Sequence, residues 1–259
     1  MDEEVKILAQ KTVDKIYKKI IKSELNDFHK FGTNTGIGAD GTPTKYIDKI
    51  AEEVAVSLIK KSDIKVNLLS EEIGFLNFDS DYTFALDPID GTRNAYRGIP
   101  FYSVSLAVGK KAISDVEYGI VKNIPTGDTF TAEKKYGAFL NNKHIAVPEV
   151  PCKELLSSLT LGINFNDLTI ALATKNKVRS LGSASLEMCM VAIGALDYYV
   201  VGKEYIRVVD VAASTLILRE AGGVVTNTSG EEFDMPFNLE NRSSVVAACN
   251  KELIQKLIS

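Results

Sequence analysis

The chain has 259 residues, 45% of them hydrophobic and 25% charged, a balance that predicts a globular protein with a real core. Its 34 acidic and 30 basic residues give a net charge of −4, which argues against a nucleic-acid partner because such proteins usually carry a basic surplus. The three cysteines are far apart, which argues against a disulfide framework, and two histidines are too few for a histidine-rich zinc site. No apolar run is long enough to span a membrane, so we expect a cytoplasmic protein.

The first half is predicted to alternate helices and strands. Apolar residues at helical spacing from Val5 to Ile20 predict an amphipathic helix. Four glycines between residues 32 and 41 predict a loop, either a plain connector or a lid over a site. A second helix is expected at 45–61, with Thr44 as its N-cap. Strands are expected at 64–69, 82–86, 101–108, 116–124, 129–133 and 138–140, with a turn at 141–142.

The second half repeats this mixture. Strands are expected at 159–163, 195–201, 224–226 and 244–248, and helices at 183–193, 211–221 and 251–258. The pair Gly222-Gly223 is expected to end the middle helix.

Four acidic residues stand where apolar segments end, which is unusual for surface charges. They are Glu71, Asp87, Asp90 and Asp210. A buried carboxylate is costly unless it is paired or bound to a metal, and several together repel one another. A divalent cation relieves that repulsion, and oxygen ligands, including the Ile89 carbonyl, favour Mg²⁺.

The segment Asp87-Pro88-Ile89-Asp90-Gly91-Thr92 has a second interpretation, a purely structural turn in which Pro88 ends the strand. If a helix begins at Gly91-Thr92, its free N–H groups form a phosphate site, although Thr92 also suits a simple N-cap. A similar turn at Gly182-Ser183-Ala184 either holds the organic part of a substrate or packs against a neighbour.

Five motifs in order resemble one family. They are Ser70-Glu71-Glu72, Asp87 to Thr92 with Asn94, Gly182-Ser183-Ala184, Asp210-Val211-Ala212 and Glu220-Ala221-Gly222-Gly223. Together they resemble the inositol monophosphatase superfamily of lithium-sensitive, magnesium-dependent phosphatases. The chain is most similar to the archaeal-type branch that acts on fructose 1,6-bisphosphate and inositol monophosphates. The resemblance implies an α+β fold, a five-layer αβαβα sandwich, in one unit 1–259 with a metal-binding lobe 1–150 and a C-terminal lobe 151–259.

The resemblance also implies a set of site residues. The expected ligands of two or three Mg²⁺ ions are Glu71, Asp87, the Ile89 carbonyl, Asp90 and Asp210. The expected catalytic residues are Asp48, Glu71 and Thr92, which align a water for in-line attack on phosphorus without a covalent enzyme intermediate. The expected substrate contacts are Asp90, Gly91, Thr92, Arg179, Gly182, Ser183, Ala184 and Arg207. Asp40 is expected to assist, and Arg93 either contacts phosphate or faces solvent.

Three functions follow as hypotheses. The first is hydrolysis of fructose 1,6-bisphosphate and inositol monophosphate, because Arg207 and Arg179 suit a second phosphate. The second keeps the chemistry but takes 3′-phosphoadenosine 5′-phosphate or a similar nucleotide. The third is a non-enzymatic regulator that binds metal or phosphate on the same fold. The expected partners are a small phosphorylated sugar or polyol and a second copy of the chain in a homodimer.

Overall fold

Seven helices and fifteen strands make up the computed structural model over the residues it describes, which are 1–39, 41–148, 154–160 and 166–258. The helices are α1 (Glu3–Asp27), α2 (Tyr46–Lys61), α3 (Thr92–Arg97), α4 (Asp167–Lys175), α5 (Ala184–Ala192), α6 (Val208–Glu220) and α7 (Lys251–Ile258). The strands are β1 (Asn34–Ile37), β2 (Pro43–Lys45), β3 (Asn67–Ser70), β4 (Gly74–Leu76), β5 (Thr83–Asp90), β6 (Ser103–Gly109), β7 (Tyr118–Asn123), β8 (Thr129–Glu133), β9 (Gly137–Leu140), β10 (Lys143–Ile145), β11 (Leu156–Leu159), β12 (Lys177–Arg179), β13 (Tyr198–Ile206), β14 (Val224–Thr226) and β15 (Ser243–Ala248). Among these helices, none has the length and apolar character needed to cross a membrane.

The helices and the two large sheets stack in five layers, which confirms the predicted αβαβα sandwich. The first sheet has the strand order β10-β9-β8-β7-β6-β5-β3-β4, and the second has the order β12-β11-β13-β15-β14. Helices α1 and α2 cover the outer face of the first sheet, and α4 and α7 cover the outer face of the second. Helices α5 and α6 lie between the sheets and contact both.

The burial pattern of each helix follows from its layer. Helix α1 buries one apolar face, which includes Val5, Leu8 and Ile16, and exposes its charged face. Helix α6 is buried on every side from Val208 to Leu218, as a helix covered by two sheets must be. From Val208 to Leu218 the sequence is accordingly apolar, apart from Asp210 and two small hydroxyl residues, and the charged pair Arg219 and Glu220 follows at the end of the helix.

Two parallel strands bring acidic residues to the same edge of the first sheet. Strands β3 and β5 pair in parallel, with Ser70 opposite Leu86. Parallel strands end at the same edge, so Glu71, which follows β3, lies near Asp87 and Asp90 at the end of β5. The pairing thus brings together three of the four predicted acidic ligands from segments distant in sequence.

Strand β5 corrects the prediction that Pro88 would end it. The strand continues to Asp90, and its register with β6 shifts between Asp87 and Asp90. Such a bulge leaves a residue outside the ladder, where the missing N–H of proline does no harm.

Part of the glycine-rich segment 32–41, which was predicted to be a loop, is a strand. Its residues Asn34–Ile37 form β1, which pairs antiparallel with β2. Thr44 belongs to β2 and donates a hydrogen bond to the Glu72 carboxylate, so the N-cap of α2 is Lys45 instead. The prediction of Thr44 as N-cap was therefore wrong, because a nearby carboxylate takes its hydroxyl.

Other boundaries differ because short elements leave little pattern in a sequence. The prediction missed α4 and the short strands β4, β10 and β12. It began α6 three residues late and ended β13 five residues early. The strand expected at 159–163 overlaps β11 only at Leu159, and residues 161–163 of that prediction lie outside the described residues. The division into lobes at residue 150 stays a prediction, and residues 149–153 are also undescribed.

A close approach between the middle helix and the first sheet can be tested by mutation. A Cβ added at Gly119 of β7 would lie 2.7 Å from the Ala213 carbonyl oxygen of α6. We expect Gly119→Val to lower the free energy of unfolding by about 2 kcal/mol or more, measured by denaturant titration. Gly36→Val is the control, because a Cβ there meets nothing within 4 Å. Equal losses in both variants would contradict this packing.

Candidate active site

Six carboxylates line one pocket of about 460 Å³ at the edge of the first sheet. They belong to Asp48, Glu71, Glu72, Asp87, Asp90 and Asp210. Five of these residues are buried, and Glu72 is half-buried. Among these are the five acidic residues predicted as catalytic residues or metal ligands, which are Asp48, Glu71, Asp87, Asp90 and Asp210.

Two groups of carboxylates within the pocket have the spacing of a cation site. Oxygens of Glu71, Asp87 and Asp210 lie within 4.8 Å of one another. Oxygens of Asp48, Glu71 and Glu72 do the same, so Glu71 belongs to both groups. Clustered oxygen donors of this kind suit hard divalent cations.

The folding of two helix ends explains where Asp48 and Asp210 point. Each is the third residue of its helix, and each accepts a hydrogen bond from the backbone N–H of the N-cap residue. The distance is 3.2 Å from Lys45 N to Asp48 Oδ2 and 2.8 Å from Arg207 N to Asp210 Oδ2. A common capping arrangement thus fixes two carboxylates at the pocket.

Burial and the charges of neighbouring acids raise the pKa values of four carboxyl groups in the pocket, those of Asp48, Glu71, Asp87 and Asp90. Burial is the largest cause in each case: it raises the pKa of Asp48 to about 7, that of Glu71 to about 8, and that of Asp90 to about 6. Burial and the charges of Glu71 and Asp90 raise the pKa of Asp87 well above its ordinary value. The side chains of the protein therefore do not supply enough positive charge to stabilise these carboxylates in their ionised form, and a bound divalent cation would supply it.

Arg207 supplies part of the missing positive charge. Its guanidinium forms ion pairs with Glu71 and, at 2.8 Å, with Asp210. Burial opposes ionisation, but Asp210 and Glu71 raise the pKa of Arg207 well above its ordinary value. The structure thus places Arg207 at the pocket, bound to two predicted metal ligands. Its predicted contact with substrate stays a prediction.

Thr92 lies between the acidic cluster and the turn before α3. Its Oγ1 lies 2.9 Å from Asp48 Oδ1 and 3.0 Å from the Ile89 carbonyl oxygen, and its single proton serves one of them at a time. The N-cap of α3 is Gly91, so Thr92 is not the cap. Gly91 has a φ of 91°, and a Cβ on it would lie 3.0 Å from the Gly182 carbonyl oxygen.

The start of α5 holds the Asp90 carboxylate. Asp90 accepts hydrogen bonds from Ser183 Oγ at 2.7 Å, Ala184 N at 3.2 Å and Ser185 N at 2.8 Å, and from Ser185 Oγ. Ser103 Oγ lies 2.8 Å from Ser185 Oγ. Ser183 and Ala184, predicted to contact substrate, therefore bind Asp90, whereas Gly182 does line the pocket. No sequence signal pointed to Ser185 or Ser103.

A buried acidic residue of α5 accepts a hydrogen bond from the backbone of the Gly182 turn. Glu187 is 1% exposed and accepts hydrogen bonds from Leu181 N at 3.0 Å and from Ser158 Oγ. Asn94 Nδ2 donates to the Leu181 carbonyl oxygen at 2.7 Å. An acidic residue inside an apolar helix was the sequence signal that could have revealed Glu187.

Two expected residues are not brought to the pocket by the described structure. Arg179 is exposed on β12, donates to the Val178 carbonyl oxygen and is absent from the pocket lining. Its predicted contact with substrate stays a prediction. Asp40 lies outside the described residues.

Comparison with known proteins gives matches along the whole chain. The model of the inositol monophosphatase family matches residues 1–259. A fructose-1,6-bisphosphatase/inositol-1-monophosphatase from Methanothermobacter thermautotrophicus is 42% identical over 86% of this chain and 84% of the relative. A bifunctional NADP phosphatase/NAD kinase from Methanococcus maripaludis is 36% identical over 98% of this chain, which spans only 48% of that relative. A solved structure from Pyrococcus horikoshii, described as a hypothetical protein with similarities for inositol-1 monophosphatase, is 31% identical with a TM-score of 0.85, covering 100% of this chain and 98% of its own.

The hydrogen bonds to Asp90 can be tested with two buried serines. We expect Ser185→Ala to lower the free energy of unfolding by about 1–3 kcal/mol, because Asp90 loses a donor. We also expect Mg²⁺ binding, measured by calorimetry, to weaken about 10- to 100-fold. The control is Ser105→Ala, whose buried hydroxyl has no hydrogen-bond partner in the described part of the chain. Losses as large in Ser105→Ala would contradict the role given to Ser185.

Proposed function

The chain belongs to the inositol monophosphatase family, whose members are metal-dependent phosphatases, and we propose that it hydrolyses fructose 1,6-bisphosphate and inositol monophosphates with Mg²⁺. The observation that carries this proposal is the pocket in which six carboxylates converge. Relatives 42% and 35% identical to this chain carry the name fructose-1,6-bisphosphatase/inositol-1-monophosphatase. That shared name supports the choice of substrates.

For the cofactor, we propose two or three Mg²⁺ ions. Their ligands would be Glu71, Asp87, Asp90, Asp210 and the Ile89 carbonyl. The close, buried carboxylates of Glu71, Asp87 and Asp210 support this choice, because burial raises the pKa of Glu71 and of Asp87, and a bound cation would favour their ionised forms. When bound, the ions would neutralise the negative charge of the phosphoryl group and polarise the oxygens around phosphorus.

The side chains around the reacting phosphorus would then position a water molecule. When Thr92 Oγ1 donates its hydrogen bond to Asp48, its lone pairs are available to accept a hydrogen bond from that water. An oxygen of Glu71 lies within 4.8 Å of an oxygen of Asp48, so Glu71 would accept a second hydrogen bond from the same water. In-line attack by an oriented water needs no covalent enzyme intermediate.

Other groups would hold the substrate. The backbone N–H groups of Gly91 and Thr92 would bind the phosphate, beside the Asp90 carboxylate. The Gly182 turn would contact the organic part, and Arg207 would contact substrate when cations replace it at Glu71 and Asp210. Ser183 and Ala184 would act through Asp90 rather than on the substrate directly.

We also propose a homodimer and a cytoplasmic location. The proposal of a dimer rests on the tendency of the family that the sequence resembles. Cys189 is a buried free thiol, which supports a reducing compartment.

A nucleotide substrate is the second candidate. The relative named NADP phosphatase/NAD kinase matches 98% of this chain, and that match favours a 2′-phosphorylated dinucleotide over 3′-phosphoadenosine 5′-phosphate. Rates of phosphate release from fructose 1,6-bisphosphate, inositol 1-phosphate, NADP and 3′-phosphoadenosine 5′-phosphate, measured side by side, distinguish the candidates.

Removal of one buried carboxylate tests the proposed site. We expect Asp87→Asn to reduce Mg²⁺-dependent phosphate release more than about 100-fold, beyond what the loss of an outer-shell partner causes. The metal-free variant should nevertheless be more stable than the wild type, because the amide is neutral at every pH, whereas the raised pKa of Asp87 means that the folded wild type must take up a proton there or bury a charge.

The control for this variant is Asp63→Asn, which changes an exposed aspartate and should leave both activity and stability unchanged. Full activity of Asp87→Asn would refute the site. A variant that was both inactive and unstable would instead indicate a structural role.

A further inference from the structure

Glu187 is a buried acid that takes no part in the proposed reaction. It stands in α5, a helix of otherwise apolar or small residues between the two sheets. Burial raises the pKa of Glu187 to about 7, although hydrogen bonds from its neighbours lower it. An apolar residue of similar size would avoid the cost of burying this group. A costly group kept in the interior indicates a role other than stability.

The carboxyl group of Glu187 holds the turn that precedes its own helix. Its Oε1 accepts a hydrogen bond from Leu181 N at 3.0 Å and another from Ser158 Oγ. A hydrogen bond from the Gly182 N–H also lowers the pKa of this carboxyl group. Ser158 is a buried residue of β11, so Glu187 ties the Gly182 turn to the second sheet.

Asn94 of α3 holds the same turn from another side. Its Nδ2 donates to the carbonyl oxygens of Leu181 and Phe101, each at 2.7 Å. Gly182 has a φ of 87°, and a Cβ on it would lie 3.1 Å from Asn94 Nδ2. The turn is therefore held between Glu187 and Asn94, in a conformation and a space that suit glycine.

The Gly182 turn lies directly against the segment that we propose to bind phosphate. A Cβ on Gly91 would lie 3.0 Å from the Gly182 carbonyl oxygen, and both glycines line the pocket. One backbone segment follows β5 and the other precedes α5. A shift of the Gly182 turn would therefore change its distance from the phosphate position, and small shifts of this kind weaken the binding of a substrate that must contact both.

We propose that Glu187 is a positioning residue, which holds the Gly182 turn at the distance from Gly91 that the organic part of the substrate requires. Glu187 is absent from the described residues that line the pocket, so it acts through the backbone of the turn. The proposal rests on the proposed phosphatase function and deepens it: affinity for the organic part depends on Glu187, and affinity for phosphate does not. The Asp90 carboxylate has its own donors in Ser183 and Ser185, so the metal site should survive the loss of Glu187.

Steady-state kinetics with an inhibitor separate the two parts of the substrate. KM is measured for inositol 1-phosphate, and inorganic phosphate, which has no organic part, serves as a competitive product inhibitor. Glu187→Leu keeps most of the bulk but removes the acceptor. We expect it to raise KM at least about 10-fold and to leave the inhibition constant of phosphate within about 2-fold. The kcat should change little, because the turn makes the same contact in the ground and transition states.

Two further variants and a matched control make the result specific. Glu187→Gln keeps an acceptor oxygen for the turn, so its KM should stay within about 3-fold of the wild type. Ser158→Ala removes one donor to the carboxyl group and should raise KM less than Glu187→Leu does. The control is Ser157→Ala, which alters the opposite face of the same strand and should leave KM unchanged.

Amide hydrogen exchange reports on the turn without any substrate. In Glu187→Leu, the N–H groups of Leu181 and Gly182 should exchange at least about 10-fold faster than in the wild type. The N–H of Ser185, which donates to Asp90, should keep its wild-type rate and so show that the variant is folded.

The outcomes separate this proposal from the proposed function. An equal rise in KM and in the inhibition constant of phosphate, or a wild-type KM in Glu187→Leu, would overturn the positioning role. If the wild type released no phosphate from inositol 1-phosphate or fructose 1,6-bisphosphate, the proposed function would be wrong. Hydrogen exchange would then decide whether Glu187 holds the turn: faster exchange at Leu181 and Gly182 would support it, and unchanged rates would contradict it.

Discussion

Repulsion among the buried carboxylates around Glu71 is the constraint on which the other features of this protein depend. Glu71 shares close oxygen contacts with Asp48 and Glu72 on one side and with Asp87 and Asp210 on the other. Burial prevents water from screening these charges, so the fold carries a local cost until cations are bound. Arg207 relieves only part of that cost. Such a local cost is typical of sites where function, rather than stability, determines the residues.

Three local devices hold these acids, and they belong to the first sheet and to the helices packed on its two faces. Asp48 and Asp210 occupy the same capping position in two helices, α2 and α6. Asp87 and Asp90 flank the bulge of β5, and Asp90 is held across the interior by the start of α5. The pocket therefore requires the first sheet and the middle helices to be packed together, which explains why Gly119 admits no side chain beneath α6. Arg242 extends the same pocket from the second sheet.

The sequence predicted the features that depend on local pattern or on motifs. The apolar α6, the five layers and the convergence of Glu71, Asp87, Asp90 and Asp210 could all be predicted, the last two through a family resemblance. The sequence did not predict contacts that depend on tertiary structure. In the sequence, Ser185 cannot be distinguished from other small residues of a buried helix, and Arg242 cannot be distinguished from other surface arginines. Their positions at Asp90 and at the pocket depend on the folded structure. Thr44 and Pro88 were misread for the same reason, because a distant carboxylate and a bulge overrode their local preferences.

The most direct test is the thermal stability of the metal-free protein between pH 6 and pH 8, with and without Mg²⁺. The pKa values of Asp90, Asp48 and Glu71 are raised to about 6, 7 and 8, so the folded protein holds protons that the unfolded chain has released. Stability of the metal-free protein must therefore fall as the pH rises through this range. Mg²⁺ replaces those protons, so it should raise Tm more at pH 8 than at pH 6. A metal-free Tm independent of pH, with an equal or absent effect of Mg²⁺ at both values, would contradict a cation site built on these buried acids.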